Sequence, residues 1–314
     1  MANRRGAIVR SGTRALWREG RRTRGYSVTD FLHGYVYGRW PYLYIGLATG
    51  ERRLPRILAP LVRLAGRLFL RASGDEDPAT SKRRFADRYH GKVVPTDAAE
   101  QLVTLDAPIE LRDLEQVIPY ATARDIVMSE PDHIVALECP CRSVREKPCL
   151  PLDVCLIVGE PFARFVAEHH AKKARWITQL EAVEILRAER DRGHVHHAFF
   201  KDAMLHRFYA ICNCCSCCCG AMQAWGNGTP MLASSGYVCS VDRAECVACG
   251  ACAEACPFGA LTVEGGVLTI DEAACMGCGI CVAKCPQDAL SLARDPARGD
   301  PLRIRDMVSA SSAD

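Results

Sequence analysis

The sequence predicts an α+β protein with a mostly helical N-terminal part, a cysteine-rich α/β module and a small C-terminal domain docked beside the module. Segments with an amphipathic pattern or a helix-capping signal lie in the first two thirds of the chain. Short apolar runs typical of strands occur among and after them. A cysteine motif that is repeated near the C-terminus marks the third part, and 314 residues are enough for more than one domain.

Five segments differ in composition. Residues 1–28 are rich in arginine and are predicted to be a flexible basic arm. Residues 29–100 form an aromatic and basic helical region that ends in a polar linker. Residues 101–238 make up the cysteine-rich α/β module, and residues 239–292 the domain with the repeated motif. Residues 293–314 are predicted to be a disordered tail.

Charge is distributed unevenly, although the net charge is only +3. Residues 1–90 contain 19 Lys and Arg against 7 Asp and Glu, whereas residues 239–292 contain 2 against 7. We therefore expect the two ends of the chain to contact different partners. Nucleic-acid binding by the basic end is not expected, because its arginines belong to no recognisable binding fold.

The basic region contains one clear amphipathic pattern. Arg63, Arg67 and Arg71 recur every four residues and fall on one face of a helix, with leucines on the opposite face. We favour a helix packed on the protein's own core with its arginines in solvent. The alternative is a peripheral contact with a membrane surface. No apolar run reaches the roughly 18 residues of a membrane span, and none follows the Arg-rich start as in a secretory signal.

Several elements are expected within the module. Ahead of the first cysteines we predict short helices at Leu111–Ile118 and Ala123–Met128, and a strand at Ile134–Leu137. Thr178 and Glu181 have the spacing of a capping box, in which the hydroxyl accepts from the third helical N–H and the carboxylate reaches back. The helix that follows should run to about Arg192 and end at Gly193.

The repeated motif occurs twice at an offset of 29 residues. The first copy is Cys246, Cys249, Cys252 and Cys256 followed by proline, and the second is Cys275, Cys278, Cys281 and Cys285 followed by proline. Three closely spaced cysteines wrap one face of an iron–sulfur cubane, and the fourth reaches the other cluster. The pattern therefore predicts two [4Fe-4S] clusters, one bound by Cys246, Cys249, Cys252 and Cys285, the other by Cys275, Cys278, Cys281 and Cys256. A pair of zinc ribbons explains neither the eight-cysteine repeat nor the prolines.

Small residues near the motif fit close approach of the backbone to a cluster. Gly250, Gly277 and Gly279 allow N–H groups to point at the sulfurs, which tunes the reduction potential. Two apolar segments, Leu261–Val263 and Val267–Ile270, are joined by a Gly-Gly pair and are predicted to form a β-hairpin.

Residues 239–292 resemble the bacterial-type dicluster 4Fe-4S ferredoxins, with every motif cysteine present. The wider region 130–292 resembles uncharacterised bacterial 4Fe-4S proteins. These proteins pair a Cys-Pro-Cys-Arg segment and a Cys-Asn-Cys-Cys-x-Cys-Cys segment with the ferredoxin repeat. The resemblance implies a ferredoxin-like fold and one cysteine-rich module upstream, and it implies no particular reaction.

Eleven of the 19 cysteines lie outside the repeat. Ten are candidates for an additional centre: Cys139, Cys141, Cys149, Cys155, Cys212, Cys214, Cys215, Cys217, Cys218 and Cys219. The eleventh is Cys239. We favour a further iron–sulfur cluster with ligands from both groups. The alternatives are zinc, with His194, His196 or His197 as further ligands, and thiol or disulfide chemistry without a metal.

Electron transfer is the leading functional hypothesis, either as a carrier or as the component of a larger system with a redox partner protein. One alternative is an oxidoreductase with its own centre in the module, and another is a redox or metal sensor. The sequence has no Gly-rich dinucleotide fingerprint after a strand, no Walker A motif and no convincing Ser/His/Asp set. Clusters need reduced thiolates, so we expect a cytoplasmic protein; the alternative is a cytoplasmic protein associated with a membrane.

Overall fold

The computed structural model describes residues 9–52 and 77–311. The predicted amphipathic segment around Arg63, Arg67 and Arg71 lies outside the described residues. The helices are α1 (Ser11–Gly20), α2 (Val28–Arg39), α3 (Pro41–Ala48), α4 (Pro78–Arg88), α5 (Thr96–Val103), α6 (Pro140–Ser143), α7 (Phe162–His169), α8 (Gln179–Asp191), α9 (Gly220–Gly226), α10 (Ala251–Ala255), α11 (Ile280–Lys284) and α12 (Ile304–Ser311).

The strands are β1 (Tyr89–Val93), β2 (Ile109–Leu111), β3 (Ile126–Met128), β4 (Ile134–Leu137), β5 (Cys155–Val158), β6 (Ala174–Ile177), β7 (Val195–Lys201), β8 (Arg207–Cys214), β9 (Leu232–Ala233), β10 (Tyr237–Val241), β11 (Leu261–Glu264), β12 (Val267–Ile270) and β13 (Leu290–Arg294). The mixture of helices and sheets confirms the α+β class. None of the described helices is both long and apolar enough to cross a membrane.

A seven-stranded sheet forms the centre of the molecule, in the order β6-β4-β5-β8-β7-β1-β9. Neighbouring strands are antiparallel except for β1 and β9, which pair in parallel. All seven residues of β7 are buried, because helices cover both faces of the sheet. The end of β8 carries Cys212 and Cys214, and register places Cys212 beside Cys155 of β5.

The segment expected to be a linker is part of this sheet. Strand β1 pairs with β7 along its whole length, from Tyr89 to Val93, and four of its five residues are buried. Helix α5 follows at once and packs against α8. The module therefore begins before residue 101, because apolar positions in this polar-looking stretch complete the core of the sheet.

Neither of the two predicted short helices forms. Only Leu111 of the segment Leu111–Ile118 belongs to a strand, β2, and the rest is loop and turn. The segment Ala123–Met128 ends in β3, which pairs antiparallel with β2. Positive φ angles of 54° at Asp113 and 58° at Ala123 break any continuous helix there. The predicted strand Ile134–Leu137 is confirmed as β4.

Helix α8 matches its prediction closely. The Thr178 hydroxyl accepts from the Glu181 N–H at 3.2 Å, and Gly193 follows the helix with a φ of 83°. The Glu181 carboxylate accepts a hydrogen bond from Arg175, a neighbour that only the tertiary structure supplies. The capping interaction is therefore one-sided.

Both chain ends are more ordered than expected within the described residues. In the segment predicted as a flexible arm, α1 packs on α7, with Leu16 buried and the Gly12 N–H donating to Glu168 Oε2 at 2.8 Å. In the segment predicted as a disordered tail, a 3-10 turn at Pro296–Arg298 leads to α12, which packs on α5. Ile304 is fully buried there, and its apolar side chain anchors the tail.

The C-terminal domain combines a β10–β13 pair with the β11–β12 hairpin, which confirms the predicted hairpin. It is joined to the sheet module by a continuous core that includes Met276 and Ile280. The Ser235 hydroxyl donates to the Gly277 carbonyl at 2.7 Å. Trp225 of α9 contacts Phe258 edge-to-face, with 5.3 Å between the ring centroids. These contacts join the C-terminal domain to the sheet module.

Lys92 should make stability depend on pH. Its side chain is 1% exposed, its Nζ donates to the Asp300 carbonyl at 3.0 Å, and burial lowers its pKa from 10.5 to about 7. Between about pH 7 and 10 the unfolded chain therefore binds more protons, so this residue makes stability rise with pH by up to about 1.4 kcal/mol per unit. We expect Lys92→Met to flatten that rise in the free energy of unfolding, measured by urea denaturation. An unchanged slope would contradict the assignment.

Candidate metal centres

Four cysteines from both copies of the motif line one small cavity in the C-terminal domain: Cys246, Cys249, Cys252 and Cys285. Three come from the first copy and the fourth from the end of α11 in the second copy. This is the set that the sequence predicts for one of the two clusters. The remaining walls are largely apolar and include Val263, Leu268 and Leu290. A pocket of four converging thiols with apolar walls has the donor set that a cubane requires.

The other four motif cysteines also lie together. Burial raises the pKa of the Cys278 thiol, and the neighbouring thiols of Cys281, Cys256 and Cys275 raise it further. The Ala260 N–H donates to Cys256 Sγ at 3.3 Å. Backbone N–H donors to the sulfurs are typical of iron–sulfur sites, so this set fits a cluster as well.

Glycines shape the loops around these thiols. Gly250, Gly277 and Gly279 have φ angles of 85°, 65° and 80°. A Cβ on Gly277 would lie 2.2 Å from the Tyr237 carbonyl oxygen. Only glycine allows this loop to approach the β10 backbone so closely.

Cys239 belongs with the second set and not with the upstream cysteines. It is buried in β10, its N–H donates to Cys275 Sγ at 3.4 Å, and the Cys281 thiol donates to its Sγ at 3.5 Å. Its place on a strand that pairs with β13 brings it beside the motif, a contact that sequence spacing does not indicate.

The two sets of thiols have different surroundings. Cys249 is exposed and its neighbour Val247 is 64% exposed, so the first set lies near the surface. Met276 and Ile280, which flank Cys278, are buried in the core shared with the sheet module. The first set therefore faces solvent and the second faces the module.

Seven of the ten candidate cysteines line one largely buried cavity of about 80 Å³, which we call the cysteine chamber: Cys139, Cys141, Cys155, Cys212, Cys214, Cys215 and Cys219. They converge because β4, β5 and β8 are neighbours and all reach the same end of the sheet. The Cys219 thiol donates to Cys214 Sγ at 3.2 Å. A hydrogen bond with Cys141 raises the pKa of Cys139 to about 12. Such thiols stay protonated at neutral pH unless a bound cation displaces the proton.

Aromatic side chains line the other half of the chamber. Tyr37, Tyr89 and Tyr209 contribute to its wall, and the hydroxyls of Tyr37 and Tyr209 lie 2.8 Å apart. The Lys201 Nζ lies 4.3 Å from the Tyr89 ring centroid and 5.0 Å from that of Tyr37. Burial lowers the pKa of Lys201 to about 8. None of these residues was predicted as a site residue; only Tyr37 lies in the aromatic-rich residues 29–49, which was a signal for it alone.

A buried ion pair fixes the chamber's position. Arg142 directly follows Cys141, and its Nη2 donates to Glu189 Oε2 at 2.6 Å and to the Asn213 carbonyl at 2.9 Å. Its Nη1 donates to the Pro151 carbonyl at 2.6 Å. The side chains of Arg142 and Glu189 are 1% and 0% exposed. This one guanidinium therefore ties α6, α8, β8 and the loop before β5 together.

The remaining upstream cysteines form a second group. Cys149, Cys217 and Cys218 lie with Cys215, and the Sγ atoms of all four are within 4.8 Å of one another. We call this group the thiol quartet. The eleven cysteines outside the repeat thus divide among the chamber, the quartet and Cys239, with Cys215 shared by the chamber and the quartet.

The three candidate histidines occupy other positions. His194 Nδ1 lies 2.7 Å from Glu189 Oε2, and His196 Nδ1 lies 2.6 Å from Asn213 Oδ1. His197 lies in β7 opposite Cys212. Among the described residues, the groups with metal-ligand spacing that contain cysteine contain no histidine. His196 and His197 lie in the buried strand β7, and His194 directly precedes that strand.

The family model for the 4Fe-4S dicluster domain matches residues 245–289. The matched span contains all eight motif cysteines and both loops described above. The chain therefore carries a 4Fe-4S ferredoxin-type domain, and it is an iron–sulfur protein of the electron-transfer class. Comparison with curated proteins gives no match. The matched span includes no part of the chamber or the quartet.

Proposed function

We propose that this protein transfers electrons through two [4Fe-4S] clusters as a component of a larger redox system. One cluster would be held by Cys246, Cys249, Cys252 and Cys285, the other by Cys275, Cys278, Cys281 and Cys256. The observation that carries the proposal is the single cavity in which three thiols of one copy meet the fourth thiol of the other. When bound, each cluster supplies one-electron chemistry.

The surface near Cys249 suits contact with a redox partner protein. Cys249 and Val247 are exposed, and so are the nearby carboxylates Asp242, Glu245 and Glu254. An exposed apolar residue among acidic groups favours a partner with a basic docking surface, whose approach would be steered by charge. A cytoplasmic location would keep the thiols of this cysteine-rich chain reduced, as cluster binding requires.

The opposite side of the domain provides a route to the cysteine chamber. Phe258 follows the motif cysteine Cys256 by two residues and contacts Trp225, near the end of α9. The helix begins directly after Cys219, a chamber cysteine, about 9 Å away along its axis at 1.5 Å per residue. The Trp225–Phe258 contact and helix α9 thus connect the second set of thiols to the chamber.

Stepwise reduction of the anaerobically purified full chain tests the proposal. We expect about two electrons per chain to be taken up by the ferredoxin-type domain, one per cluster, as followed by absorbance and potentiometry. The proposal fails if the chain contains iron and sulfide but accepts no electrons reversibly within roughly −700 to +450 mV, the range of protein iron–sulfur clusters.

The chamber favours a second candidate function, that of an oxidoreductase with an additional centre of its own. Seven cysteines around one cavity exceed what an electron carrier needs, and three tyrosines also line it, with the buried Lys201 packed against the Tyr89 ring. The centre would be a further iron–sulfur cluster held by chamber thiols.

A double variant, Cys155→Ala with Cys212→Ala, distinguishes an electron-transfer component from an oxidoreductase with an additional cluster. If the chamber holds a cubane, iron per chain should fall by about four relative to the unchanged protein, while the signals of the ferredoxin-type domain stay intact. The matched control is Ala210→Ser, a small change at a chamber position that is not a thiol. Unchanged iron in the double variant would rule out an additional cluster bound by Cys155 and Cys212.

A further inference from the structure

We infer that Cys149, Cys215, Cys217 and Cys218 bind a single zinc ion, at a site separate from the ferredoxin-type domain. All four Sγ atoms lie within 4.8 Å of one another, and two of the distances are 3.0 Å for Cys149–Cys217 and 3.7 Å for Cys217–Cys218. Tetrahedral zinc with Zn–S bonds of about 2.3 Å sets its sulfurs about 3.8 Å apart. The quartet therefore has the dimensions of a site for one ion.

The same dimensions disfavour a cubane at this position. In a cubane each thiolate binds a different iron, which spreads the four sulfurs over a larger volume. The four sulfurs of the quartet, all within 4.8 Å of one another, lie too close together for that arrangement. Four thiolates without an open ligand position are typical of a structural zinc site.

The backbone around the quartet is held in place before any ion arrives. Arg145 donates to the Cys218 carbonyl at 3.0 Å and to Gln223 Oε1 at 2.7 Å. Gln223 Nε2 in turn donates to the Cys217 carbonyl at 2.9 Å. These contacts fix the turn that carries three of the four thiols, and such outer contacts are what orient metal ligands.

An ion here would have a specific structural effect. It would join the loop that carries Cys149 to the turn after β8, two segments that are distant in sequence. Cys214 and Cys219 of the chamber flank that turn. The zinc ion would thus hold the chamber's edge in place without taking part in electron transfer, because zinc has no redox chemistry in proteins.

Metal analysis of the full-length protein, with zinc present during expression, tests the inference. We expect about one zinc per chain, and X-ray absorption at the zinc edge should show four sulfur ligands at about 2.3 Å. Cys149→Ala and Cys217→Ala should each lower bound zinc at least tenfold after dialysis against a chelator, while the iron content stays unchanged. The matched control Cys155→Ala, in the chamber, should retain the zinc.

Thiol labelling keeps the test decisive if a variant does not fold. In the unchanged protein, Cys149 and Cys217 should resist alkylation until zinc is removed with a chelator, as measured by peptide mass spectrometry. Immediate alkylation of both residues in zinc-replete protein would overturn the inference. A Cys149–Cys217 disulfide in the anaerobically isolated protein, or iron in place of zinc in the absorption spectrum, would overturn it as well.

Discussion

Replacing both Cys249 and Cys285 with alanine is expected to remove one cluster and leave the other intact. The two residues belong to different copies of the motif but line the same cavity. Iron per chain should fall by about four, and the EPR spectrum of the reduced protein should change to that of one magnetically isolated cubane. The loss is large because a cluster that lacks two of its four thiolates has too few ligands to be retained.

The matched control pair is Cys249 and Cys256, which belong to the same copy of the motif. Cys256 lies with Cys278 in the second set of thiols, so this pair should damage both clusters and leave no intact cubane signal. The opposite result would contradict the ligand assignment. In that case one cluster would survive when Cys249 and Cys256 are replaced, and both would be damaged when Cys249 and Cys285 are replaced.

Glu189→Ala is expected to lower the free energy of unfolding by about 3–5 kcal/mol, because it leaves the Arg142 charge buried without its partner. Burial opposes ionisation of Glu189, but the hydrogen bond from His194 and the charge of Arg142 hold its pKa below the usual value. The stabilisation is therefore present above the normal glutamate pKa of about 4.3 and is lost as the pH falls through the lower folded value. Chemical denaturation at neutral and acid pH measures both effects.

Two further variants separate the ion pair from its surroundings. Arg142→Met with Glu189→Met replaces both charges and should recover most of the lost stability, since an apolar pair of similar volume avoids the stranded charge. Arg175→Gln removes two exposed ion pairs, with Glu181 and Asp153, and should change stability by no more than about 1 kcal/mol. Equal losses in Glu189→Ala and Arg175→Gln would contradict the role given to the buried pair.

The ferredoxin-type domain is the part that the sequence predicted best. Its ligand spacing and its hairpin depend on residues close together in the chain, where local geometry decides the outcome. The same holds for helix α8, whose start at Thr178 and end before Gly193 follow from local signals. The position of Cys239 was not predictable, because it depends on the pairing of β10 with β13.

The chamber and the quartet could not be divided from the sequence. Cys155 and Cys212 become neighbours only through the register of β5 and β8, which are separated by two helices and two strands in the chain. Vicinal cysteines such as Cys217 and Cys218 give no indication of which ligand set they join. The partner of Arg142 was equally unpredictable, because the sequence pattern around Glu189 is that of an ordinary surface residue of an amphipathic helix.

Order in the segments predicted to be a linker and a tail was underestimated for a related reason. Polar composition suggested a linker and a tail, yet a few apolar side chains such as Ile304 are enough to anchor each segment when the sheet supplies a surface. Composition averages over a segment, whereas burial depends on single positions.

The EPR spectrum of the reduced full-length protein, with iron and acid-labile sulfide counted per chain, tests the central claim most directly. We predict two magnetically interacting cubane signals and at least about eight iron atoms per chain. About four iron atoms with a single isolated cubane signal, or iron without acid-labile sulfide, would contradict the assignment of two [4Fe-4S] clusters to the eight motif cysteines.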